Sequence, residues 1–127
     1  MSARSLRRVY LTIFVMLAVG GLSAVDAQQT TERYIPIGES PGVSGAYSYI
    51  GEIVAVDMSS RRLTLEDESG RHTMRVTDET RIWLDRSQRR LAALEGSYED
   101  CQVGRRVEIM HMNDDPMVAE WVKVETQ

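Results

Sequence analysis

Met110, His111 and Met112 stand in a row, and Met117 and Trp121 follow within the same short stretch. Thioether sulfurs beside an imidazole make a soft donor set that selects Cu(I) or Ag(I) over harder ions. If Val107 pairs with Val122 across a hairpin, Met110 falls opposite Ala119 and Met112 opposite Met117. Met110, Met112, Met117 and Trp121 then share the outer face of that hairpin, while His111 points inward with Val118. The same face reads equally as an apolar docking surface, joined by Trp83 and the Arg86–Arg90 edge, or as a patch that another part of the chain covers. Three readings therefore stand side by side: a metal set of Met110, Met112, Met117 and His111, a partner surface of Met110, Met112, Trp121 and Trp83, and a buried patch.

Little else carries reactive chemistry. His72 pairs on paper with Glu66 or Asp67, but any hairpin yields such pairs, and its phase with Met74 and Val76 points to a structural role. There is no Ser/His/Asp set in a recognisable context and no Gly-rich turn opening onto a helix. The chain reads as a non-enzyme. Its single cysteine excludes an intramolecular disulfide framework and Cys-rich zinc modules. Cys101 reads as a small buried apolar residue, with a reactive or intermolecularly cross-linked thiol as the alternative. The acidic runs Glu66–Glu68 and Asp114–Asp115 lack the alternating spacing of a calcium loop and read as solvated turns. No resident cofactor is expected apart from Cu(I) or Ag(I) on the methionine set.

The N-terminus says where the protein goes. Arg4, Arg7 and Arg8 precede a 17-residue uncharged, mostly apolar run, Val9–Val25, and Val25-Asp26-Ala27 offers small residues for a signal peptidase. Residues 1–27 thus read as a signal peptide, with cleavage before Gln28 and the product in the bacterial periplasm. The run is short for a span of about 20 residues, so no membrane span is expected after cleavage. Loss of Arg4, Arg7, Arg8 and Asp26 takes the net charge from −4 to −6. Nucleic acid is then an unfavourable partner, because phosphate binding needs clustered cations. A protein partner in the cell envelope is the expectation.

These side chains must be positioned by strands. Residues 28–46, with Pro36, Pro41 and three glycines, form an irregular arm, part of which can lie along the domain. From 47 to 127 the period is two, the mark of half-buried strands. Strands are expected at Tyr47–Val56, Arg62–Glu66, Arg71–Thr77, Thr80–Asp85, Arg105–Met112 and Met117–Glu125. Ser87–Gly96 breaks the alternation, with Leu91 and Leu94 at helical spacing and Gly96 able to end a helix. The fold class is all-β: a small barrel of five to six strands, oligonucleotide/oligosaccharide-binding (OB)-like, with one short helix between the fourth and fifth strands. Closure would remove unpaired edges.

Gly51-Glu52-Ile53-Val54-Ala55-Val56-Asp57, then Leu63-Thr64-Leu65, then Asp100 to Val107 around Gly104, resembles an exported bacterial family of small OB-like β-barrels without assigned function. Cys101 takes a slot that the family pattern fills with Leu. The Met110–Trp121 hairpin more weakly resembles the periplasmic copper- and silver-binding OB-fold chaperones, which use one His, two Met and a capping Trp. The first resemblance implies the barrel, and the second implies a Cu(I)/Ag(I) site on that hairpin.

Overall fold

The computed structural model describes residues 32–126, so the expected signal peptide, 1–27, and the start of the arm lie outside the described residues. No helix among the described residues is long and apolar enough to cross a membrane. The chain from Arg33 onward forms one compact unit. It is all-β, with seven strands: β1 (Ser48–Asp57), β2 (Arg62–Asp67), β3 (Gly70–Arg75), β4 (Arg81–Asp85), β5 (Leu94–Glu95), β6 (Arg106–His111) and β7 (Ala119–Glu125). They make a single sheet in the order β3-β2-β1-β6-β7-β4-β5, in which only β4 and β7 run parallel.

Strand β1 is the pivot. Its first half, Ser48–Glu52, pairs with β6, and its second half, Glu52–Asp57, pairs with β2, with a bulge between Ile53 and Ala55. Bulges bend a strand and raise its twist, which lets one strand serve two partners. Gly51 sits at the crossing: a Cβ there would fall 2.1 Å from the Glu66 carbonyl oxygen. No side chain fits. The hydroxyl of Tyr98 closes the β1–β2 corner, lying 2.9 Å and 2.8 Å from the carbonyl oxygens of Asp57 and Arg62 and sharing one proton between them.

One face of the sheet wraps around the core. Ile53, Leu63, Leu65, Met74, Val107, Ile109, Val122 and Val124 alternate inward as the period-two pattern requires, with Tyr98 and Cys101 joining them.

Three expectations need correction. The sheet is not closed and has seven strands. β3 meets the start of β7 at one parallel bridge, Arg75–Val118, where the Arg75 amide donates to the Met117 carbonyl at 2.8 Å. Extending that ladder back along β3 would need Asp114–Pro116 as a strand, but this segment lies in the irregular loop and turn joining β6 to β7, and Pro116 has no amide to give. The short helix between the fourth and fifth strands is also missing. Ser87–Arg89 makes one 3-10 turn, ended by Arg90 in the left-handed region at φ 58°. Leu91 and Leu94 are both exposed, so a helix there would bury no apolar face, and short helices need one. Finally, the β6–β7 register is offset by two: Val107 faces Val124 and Met110 faces Trp121, and a bulge then sets His111 opposite Ala119. An offset of two preserves which side chains face the core.

The outer face of β6, β7 and β4 is not left to water. Glu108 and Lys123 stand opposite each other in the register, and both are buried, at 0 % and 1 % exposure. The arm covers them. The Gly38 amide donates to Glu108 Oε1 at 2.9 Å, and the hydroxyls of Ser44 and Ser48 donate to Oε2 at 2.8 Å and 2.6 Å. Lys123 Nζ donates to Ser40 Oγ at 3.0 Å and lies 4.6 Å from the Trp121 ring centroid. Asp85 takes the Ile37 amide at 2.9 Å and the Ser87 amide at 2.8 Å. Burial pushes the Asp85 carboxyl upward, but the hydrogen bonds from Ser87 and Ile37 and the nearby Arg106 charge outweigh it and hold it below its ordinary value.

The shortest bond to Glu108 gives a stability test. Ser48→Ala removes a donor from a carboxylate that water cannot reach, at an expected cost of about 1–3 kcal/mol in urea unfolding. Ser44→Ala, at a half-buried site, should cost less. Equal midpoints for the wild type and Ser48→Ala would mean this hydroxyl does not help to carry the carboxylate.

Candidate functional site at the open end of the core

The hairpin residues singled out by the sequence are split between two environments. Trp83 and Trp121 are 7 % and 6 % exposed, with ring centroids 6.2 Å apart, so neither indole stands on an open surface. Met110 lies opposite Trp121 and is half-buried. Met112, beyond the bulge, donates its amide to the Val118 carbonyl at 2.8 Å. Met117 sits in the turn at 62 % exposure, its amide held by Asp115 Oδ1 at 3.0 Å. On the Arg86–Arg90 edge, Arg86 donates to the Ala92 carbonyl at 2.7 Å. Among the described residues no group of three or more His, Cys, Asp and Glu side chains is placed to hold a metal ion.

His111 leaves that face. In phase with Val107 and Ile109 on β6, its side chain points to the end of the core, where its ring lies 6.4 Å from Tyr49. Tyr49 in turn stacks on His72, with centroids 4.0 Å apart and planes 16° from parallel. Both histidines of the chain therefore meet around one tyrosine. The positions follow from strand phase. Tyr49 is in step with Ile53 on β1, and His72 is in step with Met74 on β3, so both rings project from the core-facing side.

The hydrogen bonds set the state of each ring. His111 Nδ1 lies 2.8 Å from the Met112 carbonyl oxygen, which can only accept, so Nδ1 carries a hydrogen, and in the neutral tautomer the lone pair is on Nε2. His72 Nε2 lies 2.9 Å from Ser69 Oγ and 3.1 Å from Asp67 Oδ1. The Ser69 hydroxyl spends its own proton on Asp67 Oδ1 at 2.6 Å, so Nε2 is the donor to this pair. A Ser–His–carboxylate relay requires the serine and the acid on different ring nitrogens. Here both lie on one, so the trio locks a turn and moves no proton. Glu66, the other acid considered for His72, pairs with Arg71 at 3.0 Å. The Ser69 hydroxyl is the main cause of the lowered Asp67 pKa, with burial opposing it and His72 assisting.

Beside these rings lies a cleft of about 580 Å³, lined by Gly45–Ile50, Asp67–Ser69 and His111. Tyr47 stands at its rim, largely exposed. A larger hollow of about 750 Å³, between the β1–β2 turn and Tyr98, carries charges of both signs, among them Arg61 paired with Asp78 at 2.9 Å. The end cleft instead leaves ring faces and one imidazole nitrogen uncommitted. Sequence reasoning had His72 on the core face but passed over Tyr49. The available signal was a polar or aromatic residue at positions where the alternation asks for an aliphatic one. What brings the rings together is pairing across β1, β2 and β3, which alternation alone does not encode.

Comparison with protein-family profiles, curated proteins and solved structures finds no match for this chain.

Cys101 is buried, and burial pushes its thiol up to about 12. A thiol of that pKa is a poor nucleophile at neutral pH. A thiol-reactive dye should leave the native protein unlabelled and label it fully in urea. Rapid labelling of the folded protein would place Cys101 at a reactive surface instead.

Proposed function

We propose that this chain is an exported, non-enzymatic binding module of the cell envelope that engages its partner at the end cleft around Tyr47, Tyr49 and His111. Its frame is an OB-like barrel, made from β1, β2, β3, β6 and β7, left unsealed between β3 and β7, with β4 and β5 as an insertion. The Arg75–Val118 bridge supports that reading of the frame. Export is supported by the charged start and apolar run of residues 1–27. The observation that carries the binding role is the gathering of both histidines and two tyrosines beside a cleft of about 580 Å³. Concave sites with aromatic walls and a few fixed polar groups are where ligands bind. The indoles proposed for docking from sequence serve the arm, so the docking role passes from Trp83 and Trp121 to the cleft and to Met112 beside it. Photo-cross-linking in cells tests this directly. A photoreactive side chain at Tyr47 should give a discrete adduct that is lost with His111→Ala, and one at the remote, exposed Met58 should not. Equal adducts from both positions, or none from Tyr47, would overturn the cleft.

A second reading is Cu(I) or Ag(I) binding by Met110, Met112, Met117 and His111. The exposed Met117 and the half-buried Met110 and Met112 favour it; His111, whose ring lies on the core side beside Tyr49, would add its Nε2 only after turning to the methionine face. An anaerobic Cu(I) titration against a competing chelator should then show one bound ion, lost in the double substitution Met110→Leu, Met112→Leu. A titration in which the chelator keeps all the copper would remove this reading.

A further inference from the structure

The margin of β3 is the one long unpaired edge among the described strands, since β5 at the opposite end of the sheet has only two residues. Backbone bonds in an antiparallel pair alternate between facing the partner and facing away. The phase is fixed here at two points. Val76 donates to the Arg61 carbonyl at 2.8 Å, toward β2, and Arg75 donates away from β2 to Met117. Thr73 and Arg71, two and four residues back, therefore share the outward phase of Arg75. Their N–H and C=O groups point off the sheet, and the β6–β7 turn bends away before it can meet them.

The side chains beside this margin are basic. Arg62 stands directly opposite Arg75, and neither has an ion-pair partner among the described residues. Thr64 and Thr73 share a hydroxyl bond of 2.8 Å, and Glu66 is neutralised by Arg71. Like charges set directly opposite each other destabilise a strand pair, so an anion between them relieves a built-in repulsion. This surplus lies on a chain whose net charge is −4. A second copy would bring the same arginines against themselves, which disfavours self-pairing. On the other side of the margin stand the β6–β7 turn and its exposed Met117, where an apolar side chain finds cover.

We infer that the β3 margin takes up an extended acidic segment of another protein as an added strand. Backbone bonds to Arg71 and Thr73 hold the segment, Glu or Asp faces Arg62 and Arg75, and alternate apolar residues turn toward Met117. The inference does not rest on the end cleft or on copper.

Amide hydrogen exchange of the purified protein, read residue by residue, is the test. The probe is a short capped peptide alternating Glu with Val, and its control alternates Lys with Val. The Glu peptide should slow exchange at Arg71 and Thr73 by about tenfold or more, and the Lys peptide should not. Thr73→Pro deletes an outward donor and should abolish the protection. The double reversal Arg62→Glu, Arg75→Glu keeps every backbone donor and should transfer the preference to the Lys peptide. Unchanged exchange at saturating Glu peptide, equal protection by both peptides, or protection that grows with protein concentration in the absence of peptide would each overturn the inference.

Discussion

A carboxylate that water cannot reach governs this fold. Glu108 sits in the middle of β6, a strand central to the sheet, facing away from the apolar core, with Lys123 opposite it on β7. Burying a charge costs several kcal/mol unless hydrogen bonds and charge replace the lost hydration. The arm from Arg33 to Tyr47 supplies two of those bonds, with Ser48 at the start of β1 giving the third, and it is built to do so. Gly38, Gly42 and Gly45 each take positive φ, at 85°, 72° and 78°, which folds the segment into turns that bring Gly38 N–H and the Ser44 hydroxyl onto one carboxylate. The arm is thus a second layer of the domain. It also explains why the two indoles are covered: Trp121 lies under Lys123, Trp83 lies against Trp121, and Asp85 beside them holds the Ile37 amide.

The strands were legible because each has one face on the core. Leu63 and Leu65, or Val122 and Val124, alternate with residues of another kind, and that period is enough to find β1, β2, β3, β4, β6 and β7 within a residue or two. The outer layer was not legible. Glu108 between Val107 and Ile109, and Lys123 between Val122 and Val124, look like ordinary solvent-facing members of an amphipathic strand. Alternation reports that a residue points away from the core and says nothing of what lies on that side. Lys123, the chain's only lysine, offered no further cue by its spacing. The parallel pairing of β4 with β7 was equally hidden, because sequence neighbours pair more often than distant strands, and nothing local marks the exception.

One stretch, Asn113–Pro116, accounts for several departures at once. As the connection between β6 and β7 it was foreseen, and as such it cannot also be strand. Its presence leaves β3 with a single bridge to β7 and keeps the sheet open. His111, in phase with Val107 and Ile109, stands off the methionine face in the company of Tyr49. A residue-by-residue reading of the hairpin put His111 inward with Val118, and the direction was right. Its neighbours were not foreseen, because Tyr49 and His72 arrive from strands paired elsewhere in the sheet.

The hydrogen bond from Lys123 to Ser40 spans 83 residues, and that from Ser48 to Glu108 spans 60. Contacts this distant in sequence cannot form until both ends of the loop exist, and their closure entropy must be met before they contribute. A chain made from its N-terminus must therefore carry the arm undocked until its last strand exists. Until then Glu108 and Lys123 remain hydrated, and no folding intermediate has to strip water from a charge that lacks a partner. The desolvation comes in the same step as the bonds that offset it, so the order of synthesis shields the chain from the most expensive feature of its finished form.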